Sequence, residues 1–313
     1  MLTESQRMQI PARSPWGPTD EIGRLNAITP ESRRAALKGV DPTTVFDIGI
    51  ELFVGMPSWA AAGDPSFHIW MTHTPAGTVV DNVMNKTREQ NESVGYSGDA
   101  ISMYTHCGTH LDTLCHFARN GRIWNGFSAA EHLGSRHWLK CGADKLPPII
   151  ARGIMLDVPA ALGLGMLPQG HGVSVDEVKL TAERQGTRLR EGDVVLVRTG
   201  RMALYPDWDG FMKDSPGITL ATAKYLVEQG GAILLGADNL SVEQAPSPDP
   251  GNWVPVHCYC FLEVGVPLLE FAYLEDLSAS HVYEFCFVAS PLKIRGATGT
   301  PVRPLAMPYV TSQ

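Results

Sequence analysis

Between residues 153 and 265, short apolar runs alternate with amphipathic stretches, and few folds accommodate that order. The runs "GIMLDV", "DVVLVRTG" and "AILLGAD" have the length and apolar character of buried strands. Between them, "SVDEVKLTAERQG" and "TLATAKYLVEQGG" each open on a Ser or Thr suited to cap a helix and close on glycine, which readily ends one. Such alternation predicts a parallel or mixed sheet covered by helices. The runs "TVFDIGIEL", "AISMYTH" and "VYEFCFVA" add candidate buried strands outside this region. The expected fold is α/β, a single domain over residues 44–313 without internal repeat or long linker. Residues 1–43, of which the first 30 are rich in Pro, Gly and turn formers, read as an N-terminal arm that lies over the surface or reaches a neighbouring subunit.

The formal charge of -8 leaves no basic field for a polyanion, which argues against nucleic acid and anionic membrane surfaces as partners. The first residues, "MLTESQRMQIPARSPWG", lack the apolar stretch of a secretory signal. No run approaches the roughly 18 apolar residues of a membrane span, so a cytoplasmic protein is expected. The six cysteines, Cys107, Cys115, Cys141, Cys258, Cys260 and Cys286, have no framework spacing in a chain too large to need staples, and read as reduced thiols.

The segment "YTHCGTHLDTLCHF" (104–117) holds His106, His110, Asp112 and His116. On a helix Asp112 would lie about 200° round from His110, on the wrong side. On one strand the ends of the set His106, His110 and Asp112 would be about 20 Å apart. The chain must bend to converge them, and Gly108 is the permissive residue between the two histidines. Bent in this way, two imidazoles and a carboxylate can meet at one point, as a catalytic zinc-type site with an open position requires. His116 could reach the same pocket from the first turn of a following helix, as a proton carrier rather than a ligand. A structural zinc site using Cys107 and Cys115 is a rival, but such sites favour closely paired cysteines. Cys258 and Cys260 are too tightly spaced for that pattern and suit a core or helix. Isolated His132, His137, His171 and His281 read as ordinary satisfied histidines.

"HCGTHLDTLCH" resembles the His-x-Gly-Thr-His-x-Asp-x-x-x-His signature of the metal-dependent cyclase family, which includes bacterial kynurenine formamidases and isatin hydrolases. "PVHCYCFLEVGVPLLE" and "FVASPLKIRGATGTPVRPLAM" are similar to that family's later segments, so the resemblance runs from about residue 44 to the end. Many relatives carry proline where this chain has Leu114. The resemblance implies a swivelling β/β/α-type domain. It also implies metal ligation by His106, His110 and Asp112, general acid/base action by His116, and a second metal position completed by His257 and Glu270 with the aspartate bridging.

The implied cofactor is a divalent metal, zinc or manganese, one or two ions per chain, and retention of Glu270 favours two. The implied chemistry is attack by metal-bound hydroxide on an amide, formamide or lactam of a small aromatic carbonyl compound. The alternatives are a lactonase or dehydratase-type lyase on the same metal site, and a non-catalytic metal-binding or assembly protein, against which the presence of His116 speaks. By the same resemblance Trp16 is a candidate substrate-binding or lid residue, and a homodimer or homotetramer is expected. Asp238, at the end of "LLGAD", suits a cap for the next turn better than support for the site, and Arg198 suits an ion pair within the fold.

Overall fold

A computed structural model describes residues 12–59 and 62–310; residues 1–11 of the expected arm lie outside the described residues. In chain order the strands are β1 (Phe46–Asp47), β2 (His68–His73), β3 (Gly98–Ser102), β4 (His110–Asp112), β5 (Ile149–Asp157), β6 (Gly172–Val173) and β7 (Val194–Arg198). They continue with β8 (Gly217–Ile218), β9 (Leu234–Ala237), β10 (Leu268–Glu270), β11 (Glu284–Ala289), β12 (Gly299–Pro301) and β13 (Leu305–Pro308). Among the described residues, nine of them form one mixed sheet in the order β1-β13-β11-β5-β7-β9-β10-β4-β12. The β5-β7-β9-β10 centre is parallel and the flanking pairs are antiparallel.

The expected alternation is present because the centre of a parallel sheet is covered on both faces. All five residues of β7 are buried. Along β5, β7 and β9, successive side chains go to opposite sides. Ile154, Val195 and Leu235 join one apolar core, and Met155, Leu196 and Leu234 join the other with Phe285 and Phe287. The helix Val175–Gln185 is stopped at both ends as its sequence predicts. Ser174 and Glu177 form a capping box, and Gly186 terminates it with a φ of 66°. A cap of this kind contributes about 1 kcal/mol.

Two expected buried strands are not buried: of "TVFDIGIEL" only Phe46–Asp47 is strand, half-buried at the edge of the sheet. "AISMYTH" supplies β3, which among the described residues pairs with β2 alone in a separate two-stranded ribbon, and Ile69, Trp70, Met71 and Ile101 remain about half exposed. Apolar content makes the strand, but a covering layer is needed to bury it, and that is not written in the run itself.

Residues 12–43 pack on the domain through buried Asp20, whose carboxylate accepts hydrogen bonds from Ser14 Oγ (2.6 Å), Asn26 Nδ2 (2.7 Å) and Trp124 Nε1 (2.9 Å). Burial pushes its pKa up, but the hydrogen bonds outweigh it and hold the group below the usual value. All six cysteines are free thiols, five of them buried. Among the described residues, no helix is long and apolar enough to cross a membrane.

Candidate metal centre

Strand β4 lies between β10 and β12, and this register builds the site. His110 stands opposite Glu270 on β10, while Asp112 stands opposite Gly299 on β12. His110 and Asp112 are two residues apart on one strand and therefore share a face. His106 precedes the strand in a tight turn, and Gly108 makes that turn with a φ of 67°. The left-handed backbone favours glycine here, and a Cβ would also sit 2.4 Å from Leu52 Cδ2, so that side chain would have to shift. The turn returns His106 to its partner, with Nδ1 2.6 Å from Asp112 Oδ1 and Nε2 2.9 Å from Thr298 Oγ1. The bend expected from sequence is thus observed.

His116 is not on a helix, contrary to expectation. The residues after Asp112 form a turn in which the His116 N–H donates to the Thr113 carbonyl at 3.1 Å. The close approach comes from this turn instead: His116 Nε2 is 3.8 Å from Asp112 Oδ2, and its ring stacks on that of His106 with centroids 3.9 Å apart.

His257, from the helical turn Pro255–His257, brings Nε2 to 3.3 Å from Glu270 Oε1 and 3.6 Å from Asp112 Oδ2. Two potential metal-binding sets result, His106–His110–Asp112 and Asp112–His257–Glu270, and the ligand atoms of each lie within 4.8 Å of one another. Asp112 belongs to both.

The chemistry of these donors fits a cation. Asp112 and Glu270 are buried carboxylates whose ion pairs among the described residues are all to histidine. His110 Nε2, Asp112 Oδ2 and Glu270 Oε1 are buried without a hydrogen-bond partner, a costly arrangement unless something positive joins them. The Nδ1 of His110 lies 2.8 Å from the Gly108 carbonyl. Donation of Nδ1–H to that carbonyl leaves the Nε2 lone pair facing the carboxylates.

The titration pattern shows the same demand for positive charge. Burial lowers the pKa of His110, but Asp112 and Glu270 overcome it and raise the group to about 10. Burial likewise lowers that of His257, yet Asp112, Glu243 and Glu270 raise it well above the usual value. For Asp112 burial acts upward, and the surrounding imidazoles His116 and His106 hold it well below the usual carboxylate range. His116 differs: burial, helped by His106, His257 and His110 and opposed by Asp112, pushes it down to about 3. Its side chain is 20% exposed.

Other sequence candidates fall elsewhere. Trp16 is 43% exposed, its backbone N–H donating to Ser14 Oγ. Among the described residues, no hydrogen bond or ring contact joins it to the cluster. Asp238 accepts from the Thr199 and Gly200 backbone N–H groups and from Thr199 Oγ1, capping the turn after β7. Arg198 pairs with Asp157 and Glu275, as expected. Cys258 and Cys260 fall on helical turns, His171 meets Glu177 and His281 meets Tyr283.

Four neighbours of the cluster escaped the sequence argument. Glu243 holds His257 through Nδ1. A Cβ on Gly299 would meet the His106 ring at 2.5 Å. Phe117 packs edge-on to His116 at 4.5 Å and to His257 at 5.0 Å. Trp253, 74% exposed, lies against Phe117 at 5.7 Å. The available signals were the glycine-rich "GATGTP" and the spacing of Trp253 four residues before His257.

Solved structures share this architecture. A protein described as a novel cyclase is 25% identical with a TM-score of 0.82, covering 95% of this chain and 99% of its own. Isatin hydrolase A from Ralstonia solanacearum is 20% identical with a TM-score of 0.64, covering 84% and 91%. Isatin hydrolase A from Labrenzia aggregata, bound to benzyl benzoate, is 18% identical with a TM-score of 0.62, covering 85% and 94%. At these identities the two hydrolases are likenesses of fold. Comparison with curated proteins finds no match. The sequence model of the Cyclase family, described as "Putative cyclase", matches residues 46–244, a span that contains the bent histidine motif, and the chain belongs to that family.

Proposed function

We propose that this protein is a metal-dependent hydrolase that cleaves an amide, formamide or lactam C–N bond of a small aromatic carbonyl compound. The observation that carries this reading is the pair of ligand sets sharing Asp112, with orphaned atoms on His110, Asp112 and Glu270, beside the partly exposed imidazole of His116. The likeness in fold to isatin hydrolases supports it.

His106, His110 and Asp112 would hold one divalent ion, and Asp112, His257 and Glu270 a second. Zinc or manganese bound there supplies Lewis acidity and makes water acidic enough to ionise near neutral pH. His116 accepts the proton of the attacking water at Nε2, and Asp112 Oδ2 beside it stabilises the imidazolium that forms. As the C–N bond breaks, His116 returns the proton to the departing nitrogen. Phe117 and Trp253 form an aromatic surface next to His116 on which a flat ring can stack.

Protein purified without chelator is expected to hold one or two transition-metal ions per chain by elemental analysis. With added zinc or manganese it should hydrolyse a member of a panel of N-formyl aromatic amines, isatin-like lactams and cyclic imides. Turnover of lactones alone would replace the C–N assignment, and no metal under any loading condition would remove the basis of the reading.

A further inference from the structure

Glu243 is a buried carboxylate outside both ligand sets, and its side chain holds His257, a member of one of them. Its Oε2 accepts the Val256 N–H at 3.0 Å, and its Oε1 accepts the His257 N–H at 3.1 Å and faces His257 Nδ1 closely. One carboxylate therefore fixes both the backbone turn that carries His257 and the rotation of its ring. With Nδ1–H donated to Glu243, the lone pair on Nε2 is directed at Asp112 and Glu270.

The chain strains itself to present this group. Val242, immediately before Glu243, has a φ of 57°, and a β-branched residue in the left-handed region is a genuine outlier. Phe271, immediately after Glu270, has a φ of 55°. A single residue braces both outliers: Asn239 Oδ1 accepts the Val242 N–H at 2.8 Å, and the Asn239 carbonyl accepts the Phe271 N–H at 3.1 Å. Backbone strain of this kind persists where surrounding structure enforces it. A helix cap alone needs only an Asp, Asn, Ser or Thr next to the turn, not a glutamate brought in from a strained loop 12 residues or more earlier.

We infer that Glu243 is a positioning residue for the metal position formed by Asp112, His257 and Glu270: it sets the tautomer and orientation of His257, and Asn239 couples its placement to that of Glu270. This rests on the metal reading of the site, and the test separates the two. Zinc binding is titrated against a chromophoric chelator in wild type, Glu243→Ala, Glu243→Gln and His110→Ala, with the protonation pattern of His257 read by long-range proton–nitrogen NMR in the zinc-loaded protein.

Wild type should bind two ions. Glu243→Ala should lose about 10–100-fold in affinity for one of them while the other is retained, and the His257 nitrogen signals should lose the Nδ1–H pattern. Glu243→Gln keeps one acceptor oxygen for Nδ1–H and should lose less than Glu243→Ala. It also carries the test if the alanine variant fails to fold, because a change below twofold in that case overturns the proposal. Two ions bound with wild-type affinity in both Glu243 variants also overturn it. A wild type that binds one ion overturns the role of Glu243 alone. A wild type that binds none, or a His110→Ala variant that binds as wild type, overturns the metal reading as well.

Discussion

Adding one methyl group at Gly299 should disable the site without replacing any ligand. Gly299 has no left-handed backbone requirement, so Gly299→Ala changes only the space in front of His106. The new Cβ would lie 2.5 Å from His106 Cε1 and 2.8 Å from both ring nitrogens, against an ordinary contact of 3.4 Å or more. Relief requires the imidazole or β12 to move by about 1 Å. The ring has little room to retreat, because it stacks on His116 at 3.9 Å and is held at Nδ1 by Asp112 and at Nε2 by Thr298. Overpacking of this kind costs about 1–3 kcal/mol, and a displacement near 1 Å in a catalytic array costs about 100-fold in rate.

The assay is guanidinium unfolding of metal-free protein, zinc competition, and kcat/KM on the best substrate of the screen. Gly165→Ala, where an added methyl meets nothing within 4 Å, serves as the control and should be neutral in all three. Zinc affinity and kcat/KM of Gly299→Ala within twofold of wild type would show that His106 is free to move and would refute the reasoning.

Two further outcomes are expected. His116→Ala should keep its metal by elemental analysis and lose about 100- to 10,000-fold in kcat; wild-type turnover would end its acid/base role. Asp20→Asn should cost about 1.5–3 kcal/mol at pH 7, because a charged acceptor of several hydrogen bonds is lost. The folded pKa of Asp20 is lowered, so its contribution is complete above the unfolded value of about 3.9 and disappears as pH falls through the folded one. The gap between wild type and variant should therefore be full at pH 7 and shrink below about pH 4 in urea unfolding, and an equal gap at both ends would contradict it.

Local patterns were sufficient for much of this protein. The continuous apolar runs of β5, β7 and β9 and the caps on the helix Val175–Gln185 are local signals, and each produced the element it predicts. The need for a bend at Gly108 was likewise legible, because neither 3.6 nor 2.0 residue periodicity can converge His106, His110 and Asp112. The placement of "AISMYTH" in an exposed ribbon, and of His116 on a turn rather than a helix, was not legible. Burial depends on what covers a strand, and a turn of four residues has little periodicity to read.

The partnership of the site also belongs to the tertiary structure. Register alone sets Glu270 opposite His110 and Gly299 opposite Asp112, and the loop after β9 alone brings Glu243 under His257. Sequence determined which side chains can ligate and that the chain must turn between them. Strand pairing between β4 and β10 brought the second carboxylate, Glu270, to His110, and the helical turn Pro255–His257 brought the second imidazole beside Asp112, because hydrogen-bond register and packing, unlike side-chain chemistry, are properties of two segments at once.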